Sequence, residues 1–346
     1  LEVEMKKILS IIMIAAIMLA AVTGCAGTNA NEEQKPVENE SKGPQDQKTD
    51  ENKKIKIGII QPIEHPSLNQ IRECIIAGIE EQGLKDVVEI TYKDAQGDPS
   101  NINTIISQFI GDKMDIIVPI GTGTAQSAAA ATKDIPVIFA AASYPLEAGL
   151  VKDLNRPEAN VTGVSDAIDV KQIFDLAFEL TPEAKTYGFL YNSGEVNSVA
   201  AIDKAKEYLK EKGVAYTETT ITNSSELLQA AQSLTGKADA IFTPTDNTVA
   251  SAMPVLASEA MKAGIPVYTG ADSMVNDGGF ATVGVDYTVL GRQVADMVRR
   301  VIDGVQISEI PVETLKEYEK IVNISVAEKI GVEISEDLLK GFKVVK

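Results

Sequence analysis

Tryptophan is absent from this 346-residue chain, histidine occurs once and cysteine twice. One histidine (His65) and two distant cysteines (Cys25 and Cys74) cannot assemble a four-ligand zinc site. No metal and no cofactor are therefore expected. Arginine is confined to Arg72, Arg156, Arg292, Arg299 and Arg300, so a ligand carboxylate is expected to meet hydroxyls and backbone N–H groups instead of an arginine fork. Basic residues are outnumbered as well. Lys and Arg total 32 against 50 Asp and Glu, and the net charge of −18 argues against nucleic acid or a basic membrane patch. Hydrophobic content is 44% and charged content 24%, ordinary for a chain that folds in water, and the length suits about two domains.

Long apolar runs are missing except near the start. Met5-Lys6-Lys7 is a basic opening, and residues 8–21 form an apolar core too short for a comfortable membrane span. The run closes on Val22-Thr23-Gly24-Cys25, which resembles a bacterial lipobox. The expectation is a lipoprotein signal peptide over 1–24 and a lipidated (palmitate-bearing) Cys25. Residues 25–53 are almost free of apolar side chains and cannot bury a core, so a disordered tether is expected there. The protein would then sit on the extracytoplasmic face of the cell membrane, held by its lipid anchor only. Cys74 shares one face of a helical pattern with Ile71, Ile75 and Gly78, the setting of a buried structural thiol, and no disulfide is expected.

The stretch 115–132 organises the folded part. Its start, Asp115-Ile-Ile-Val-Pro-Ile120, is a short β-branched run, the pattern of a buried parallel strand. Gly121-Thr122-Gly123-Thr124 reads as a tight loop, and the alanines that follow favour helix. In an open α/β sheet such a loop lies beyond the carboxyl end of a strand, where a helix N-terminus presents free N–H groups to an anion. The loop lacks the lysine of a P-loop and is not a complete dinucleotide fingerprint. A second copy gives it weight. Residues 239–252 align with 115–128 without a gap, placing Thr248 on Thr124, Ser251 on Ser127 and Ala252 on Ala128. Ile135-Pro136-Val137 and Ile265-Pro266-Val267 follow the two copies. A repeat at so long a spacing implies two similar lobes and not a solenoid.

Strands are expected over 54–60, 87–93, 115–120 and 135–141, alternating with helices, and again over 186–191, 215–220, 239–243 and 265–270. The fold class is α/β: two doubly wound parallel-sheet lobes joined by a multi-strand hinge. The expected lobes are 54–163 with 286–318, and 164–285 with 319–346. The strand 161–165 would leave the first lobe, 280–285 would return to it, and a third crossing is expected within 321–326. Lobes joined in this way can hinge around a ligand.

Several motifs carry a family resemblance: Gln61…His65-Pro66-Ser67-Leu68, Gly121-Thr122-Gly123-Thr124-Ala125, Gly163-Val164-Ser165-Asp166, Pro244-Thr245-Asp246-Asn247 and the closing 323–331. Together they span nearly all of 54–346 and resemble the type I periplasmic-binding-protein fold of ABC-importer substrate-binding lipoproteins. The chain is similar in particular to the group with tryptophan- and tyrosine-binding members. The resemblance implies a monomeric receptor for a small solute, an aromatic amino acid (tryptophan, tyrosine or phenylalanine), with an ABC permease as partner.

In that fold the ligand lies between the carboxyl ends of both sheets. The strand map places Glu64, His65, Thr122, Gly123, Thr124, Ala142, Ser143, Asp166, Tyr191, Asn192, Asp246, Asn247 and Asp272 there. Hydroxyls and N–H groups of the first lobe suit a carboxylate, and Asp166, Asp246 and Asp272 suit an ammonium. Each has a plainer alternative: a loop aspartate caps helices, His65 before a proline can be a turn residue, and Tyr191 can belong to the core. A sugar- or nucleoside-type receptor and a component of a ligand sensor stay open. The low aromatic content of 5% leans away from sugar stacking. For an enzyme, no nucleophile–base spacing is visible.

Overall fold

The computed structural model describes residues 54–157 and 159–346. The expected signal peptide over 1–24, lipidation at Cys25 and the tether over 25–53 lie outside the described residues. Among the described residues no helix is long and apolar enough to cross a membrane.

The first lobe alternates β1 (Ile55–Gln61), α1 (Pro66–Glu81), β2 (Val88–Asp94), α2 (Pro99–Gly111), β3 (Ile116–Pro119), α3 (Thr122–Ala131), β4 (Val137–Ala140) and β5 (Val161–Ser165). The chain then crosses at 166–169. The second lobe follows with α4 (Val170–Leu180), β6 (Thr186–Asn192), α5 (Val196–Lys212), β7 (Ala215–Ile221), α6 (Leu227–Thr235) and β8 (Ala240–Thr243). It continues through α7 (Asn247–Ala250), α8 (Met253–Ala263), β9 (Val267–Thr269), α9 (Asp272–Asn276) and β10 (Ala281–Gly284). After 285–286, α10 (Tyr287–Ile302) and β11 (Glu313–Thr314) rejoin the first lobe. The chain finishes in the second lobe with β12 (Glu319–Asn323), α11 (Ile324–Ile330), α12 (Glu336–Leu339) and β13 (Lys343–Val345).

The strand orders are β11-β5-β4-β3-β1-β2 and β13-β12-β10-β9-β8-β6-β7. Every pairing is parallel except that of β10 with β12, which is antiparallel. Parallel strands carry apolar side chains on both faces because helices cover both. Ile57, Ile59 and Ile60 in β1 and Tyr187 and Phe189 in β6 are accordingly inaccessible to solvent. Local signals set the helix ends. Asp98 caps α2 by accepting from the Ser100 N–H, Pro66 stands in the first turn of α1, and Gly213 ends α5 in a left-handed conformation.

The repeat seen in the sequence has a physical role in both lobes. Asp115 Oδ2 accepts from the Lys56 N–H at 2.8 Å, and Asp239 Oδ2 accepts from the Thr186 N–H at 2.9 Å. The same carboxylate thus ties the third strand of each lobe to the start of the first. The copies diverge just beyond. Gly121, at φ 90°, turns the chain directly into α3, so Thr122 and Gly123 form its first helical turn and not a separate loop.

The crossings differ in place from the expected ones. The strand over 281–284 is paired inside the second sheet, and the chain leaves only at 285–286. The third crossing lies at 315–318, ahead of 321–326. Residues 321–323 pair with β10, and 324–326 open α11. An apolar β-branched pair such as Ile321-Val322 fits a buried strand as well as a linker, and only pairing separates the two. Cys74 is half-buried on α1, facing α10.

Candidate functional site

A cavity with about 360 Å³ of atom-free space lies between the lobes at the carboxyl ends of both sheets. The lobes touch around it. His65 Nε2 lies 3.2 Å from Asn247 Oδ1, and Ser143 Oγ lies 3.4 Å from Thr245 Oγ1. The Ser67 and Ser273 hydroxyls also meet across the cleft. At the rim, Lys204 of α5 pairs with Glu147 at 3.1 Å and stands 4.9 Å over the Tyr144 ring. The cleft is closed.

Of the expected site residues, the structure brings His65, Thr122, Ser143, Asp166, Asp246 and Asn247 to the cavity wall. Asp166, on the first crossing, is 4% exposed. Its Oδ1 accepts from Ser143 Oγ at 2.6 Å and its Oδ2 from the Tyr287 hydroxyl at 3.4 Å. Burial pushes its pKa above the ordinary carboxylate value, and the Ser143 hydroxyl, its own backbone N–H and the Tyr287 hydroxyl pull it back only in part. Its partners are neutral, so it is a buried acceptor without a counter-charge.

Asp246 also lines the cavity, but its oxygens are already engaged. Oδ1 caps α7 by accepting from the Val249 N–H at 2.9 Å, and Oδ2 accepts from the Asn192 N–H at 2.7 Å. Burial and then the neighbouring Glu195 carboxylate push its pKa upward, against those N–H bonds. Glu195 closes the same helix end. Its two oxygens accept from the backbone N–H groups of Asn247 and Thr248 at 3.0 and 2.9 Å, and from both side chains. The equivalent helix of the first lobe, α3, has no side-chain cap, so its first-turn N–H groups have no partner within the helix. An anion therefore has an open helix end in one lobe and a sealed one in the other.

The remaining expected residues fall outside the cavity wall, each for a local reason. Glu64 points outward, 3.7 Å from Arg72, and accepts from the Tyr92 hydroxyl. Gly123 is on the exposed side of the α3 turn. Thr124 spends its hydroxyl on the Ile120 and Gly121 carbonyls at 2.5 and 2.8 Å. Ala142 is wholly buried, and its neighbour Ala141, in a left-handed conformation (φ 53°), lines the cavity in its place. Tyr191 bonds Glu218 at 3.1 Å across the β6–β7 pair, and Asn192 bonds Thr248 at 2.7 Å. Asp272 accepts from the Ser273 N–H within its own helix.

Further wall residues were not singled out from the sequence: Ser67, Leu68, Asn197, Met274 and Tyr287 among them. Each stands within the first few residues of a helix that follows a strand or a crossing. That position was the sequence signal available for them, together with the His65-Pro66-Ser67-Leu68 motif in the case of Ser67 and Leu68.

Two packed α/β lobes with a cavity between them at the carboxyl ends of both sheets define a solute receptor of the type I periplasmic-binding-protein class. Amino-acid- and sugar-binding proteins of much lower identity share this fold. The chain belongs to the family of ABC transporter substrate binding proteins, which matches residues 56–346. Members of that family bind solutes outside the cytoplasm for a permease and are not enzymes.

The chain is 38% identical to the tyrosine-binding protein of Clostridioides difficile (strain R20291) over 99% of its length and 97% of that protein's. It is 37% identical to the ABC domain from Streptococcus pneumonia solved in complex with L-Trp, with a TM-score of 0.82 over 85% of this chain and 100% of the other. The ligand-free, open structure of a substrate-binding protein with adhesive properties from Clostridium difficile is 38% identical, covering 84% of this chain and 99% of that one. Its TM-score is lower, at 0.65. Identity and coverage barely differ between these two structures. The higher TM-score is with the structure solved in complex with L-Trp, and the lower with the one described as ligand-free and open.

Proposed function

We propose that this chain is the receptor of an ABC importer for an aromatic L-amino acid, tethered outside the cell through a lipidated Cys25. The observation that carries the ligand assignment is Asp166, a buried carboxylate on the cavity wall that is bonded by the Ser143 and Tyr287 hydroxyls and its own backbone N–H, with no cation among these partners. A ligand ammonium supplies the missing positive charge, and the ligand carboxylate docks on the uncapped first turn of α3 at Thr122. Leu68, Ala250 and Met274 supply an apolar wall for the ring. Relatives named for tyrosine binding or solved with L-Trp support this reading.

The test is calorimetry of the full chain with L-tyrosine, L-tryptophan and L-phenylalanine, each against its deaminated analogue. Leaving one side of a buried charge pair empty costs about 2–5 kcal/mol, so the deaminated compounds are expected to bind at least about thirtyfold more weakly. Equal affinity for the amino acids and their deaminated analogues would sink the assignment.

A further inference from the structure

A run of hydrogen bonds decides where the single histidine keeps its proton. Glu195 is bonded by four donors, two of them from Asn247: its backbone N–H at 3.0 Å and its side-chain nitrogen at 2.7 Å. Turning that amide over would set its carbonyl against a carboxylate, so the NH₂ faces Glu195 and Oδ1 faces His65. Oδ1 can only accept. At 3.2 Å it takes a proton from His65 Nε2, which fixes the Nε2–H tautomer. Burial holds the imidazole near pKa 4, so at neutral pH it has no second proton. Nδ1 is left as a bare acceptor. It is sealed from solvent and has no partner, in a residue that is 7% exposed and lines the cavity. A buried acceptor without a donor is penalised, and a ligand donor removes the penalty.

The position of His65 along the cavity indicates which ligand atom supplies that donor. Thr122, Ser143, Asp166 and Tyr287 are bonded to one another and form the polar end. His65 instead belongs to the start of α1, which contributes Leu68, and it meets α7, which contributes Ala250. Ser67 next to it touches Ser273, beside Met274. His65 thus stands beside Leu68 and Ala250 of the apolar wall and is not among the residues hydrogen-bonded to Asp166. We propose that His65 Nδ1 accepts a hydrogen bond from the ring-borne O–H or N–H of the bound amino acid. It thereby selects tyrosine and tryptophan over phenylalanine. This rests on the aromatic amino-acid reading above and adds a specificity residue to it.

Calorimetry of the full chain with L-tyrosine, L-phenylalanine, L-tryptophan and 1-methyl-L-tryptophan tests the proposal. A donor lost opposite a buried acceptor should weaken binding about ten- to hundredfold, both from tyrosine to phenylalanine and on methylation of the indole nitrogen. In His65→Leu both gaps should shrink to about threefold or less, with melting temperature monitored to show that the variant is folded. Because the chain has one histidine, imidazole ¹⁵N spectra of the wild type read the same atom without any substitution. The Nε2–H tautomer is expected at neutral pH, with the Nδ1 resonance shifting on binding tyrosine and not phenylalanine. Equal wild-type affinity for tyrosine and phenylalanine overturns the role of His65 and leaves the amino-acid reading standing. An Nδ1–H tautomer, or selectivity kept in folded His65→Leu, overturns it too. Failure of all four compounds to bind overturns the amino-acid reading and this proposal together.

Discussion

Two aspartates on one cavity wall have opposite relations to the fold. Asp246 accepts two backbone N–H groups, one from the first turn of α7 and one from the end of β6. Asp166 accepts from two hydroxyls and its own backbone N–H, and from no backbone group of another residue among these partners. Removing the first should therefore damage the protein, and removing the second should damage binding. Asp246→Ala strips a helix cap and leaves buried donors unmet, and is expected to lower stability by about 1–3 kcal/mol in urea denaturation. Asp166→Asn keeps the shape and the hydroxyl contacts but loses the charge. Its urea midpoint should stay at or above that of the wild type, while amino-acid affinity falls by about 2–5 kcal/mol in calorimetry. A reversed pattern, with affinity lost through a folded Asp246→Ala and kept in Asp166→Asn, would return the ammonium site to Asp246.

At the scale of elements, α10 closes the first lobe although it comes from the far end of the chain. It can do so because Gly291 lets it lie against α1: a Cβ there would stand 2.5 Å from the Cys74 Cβ. Tyr287, which opens this helix, bonds Asp166 on a different crossing, so the seating of α10 bears on the site. Gly291→Leu forces the helices apart. The expected loss is about 1–3 kcal/mol or more by thermal or urea unfolding, with weaker ligand binding in the molecules that remain folded. A variant as stable as the wild type would mean that the two helices can separate freely. The contrast between α3, with an open N-terminus, and α7, capped by Asp246 and Glu195, is also settled at this scale. One copy leaves a helix end without a side-chain cap at the cavity wall, and the other is sealed into a structural joint.

At the scale of the whole molecule, His65 lies across the cleft from Asn247, and its burial there lowers its pKa from 6.5 to about 4. An imidazole released into water on opening regains its ordinary value near 6.5, so the closed form holds fewer protons than the open form. The His65 contribution to closure is then fully present above about pH 6.5, weakens as pH falls toward 4, and stays lost below that. Asp166 and Asp272, raised by burial, act in the opposite direction at acid pH, so the comparison must be made with His65→Gln. Wild-type affinity should fall more steeply than that of the variant between pH 6.5 and pH 4. Bound L-tryptophan can be followed by its own emission, because the chain has no tryptophan. Parallel pH profiles for the two proteins would show that His65 does not couple protons to closure.

The sequence alone determined the α/β class, the two similar lobes and the neighbourhood of the cleft. Strand composition, glycine turns and a gapless internal repeat are local properties, and the carboxyl-end rule turns a strand map into a list of loops. It also brought His65, Thr122, Ser143, Asp166, Asp246 and Asn247 to attention as a group. It could not say which of these have free hydrogen-bonding capacity. That depends on partners far away in the chain: Asn192 for Asp246, Glu195 for Asn247, Tyr287 for Asp166. Apolar wall residues such as Leu68 and Met274 had the same blind spot, since a helix residue facing a cavity is chemically identical to one facing the core. Tertiary structure decided which carboxylate accepts backbone N–H groups from other elements of the fold and which is bonded chiefly by hydroxyls. The reason is that a buried polar group is defined by what reaches it, and most of what reaches these groups comes from more than fifty residues away.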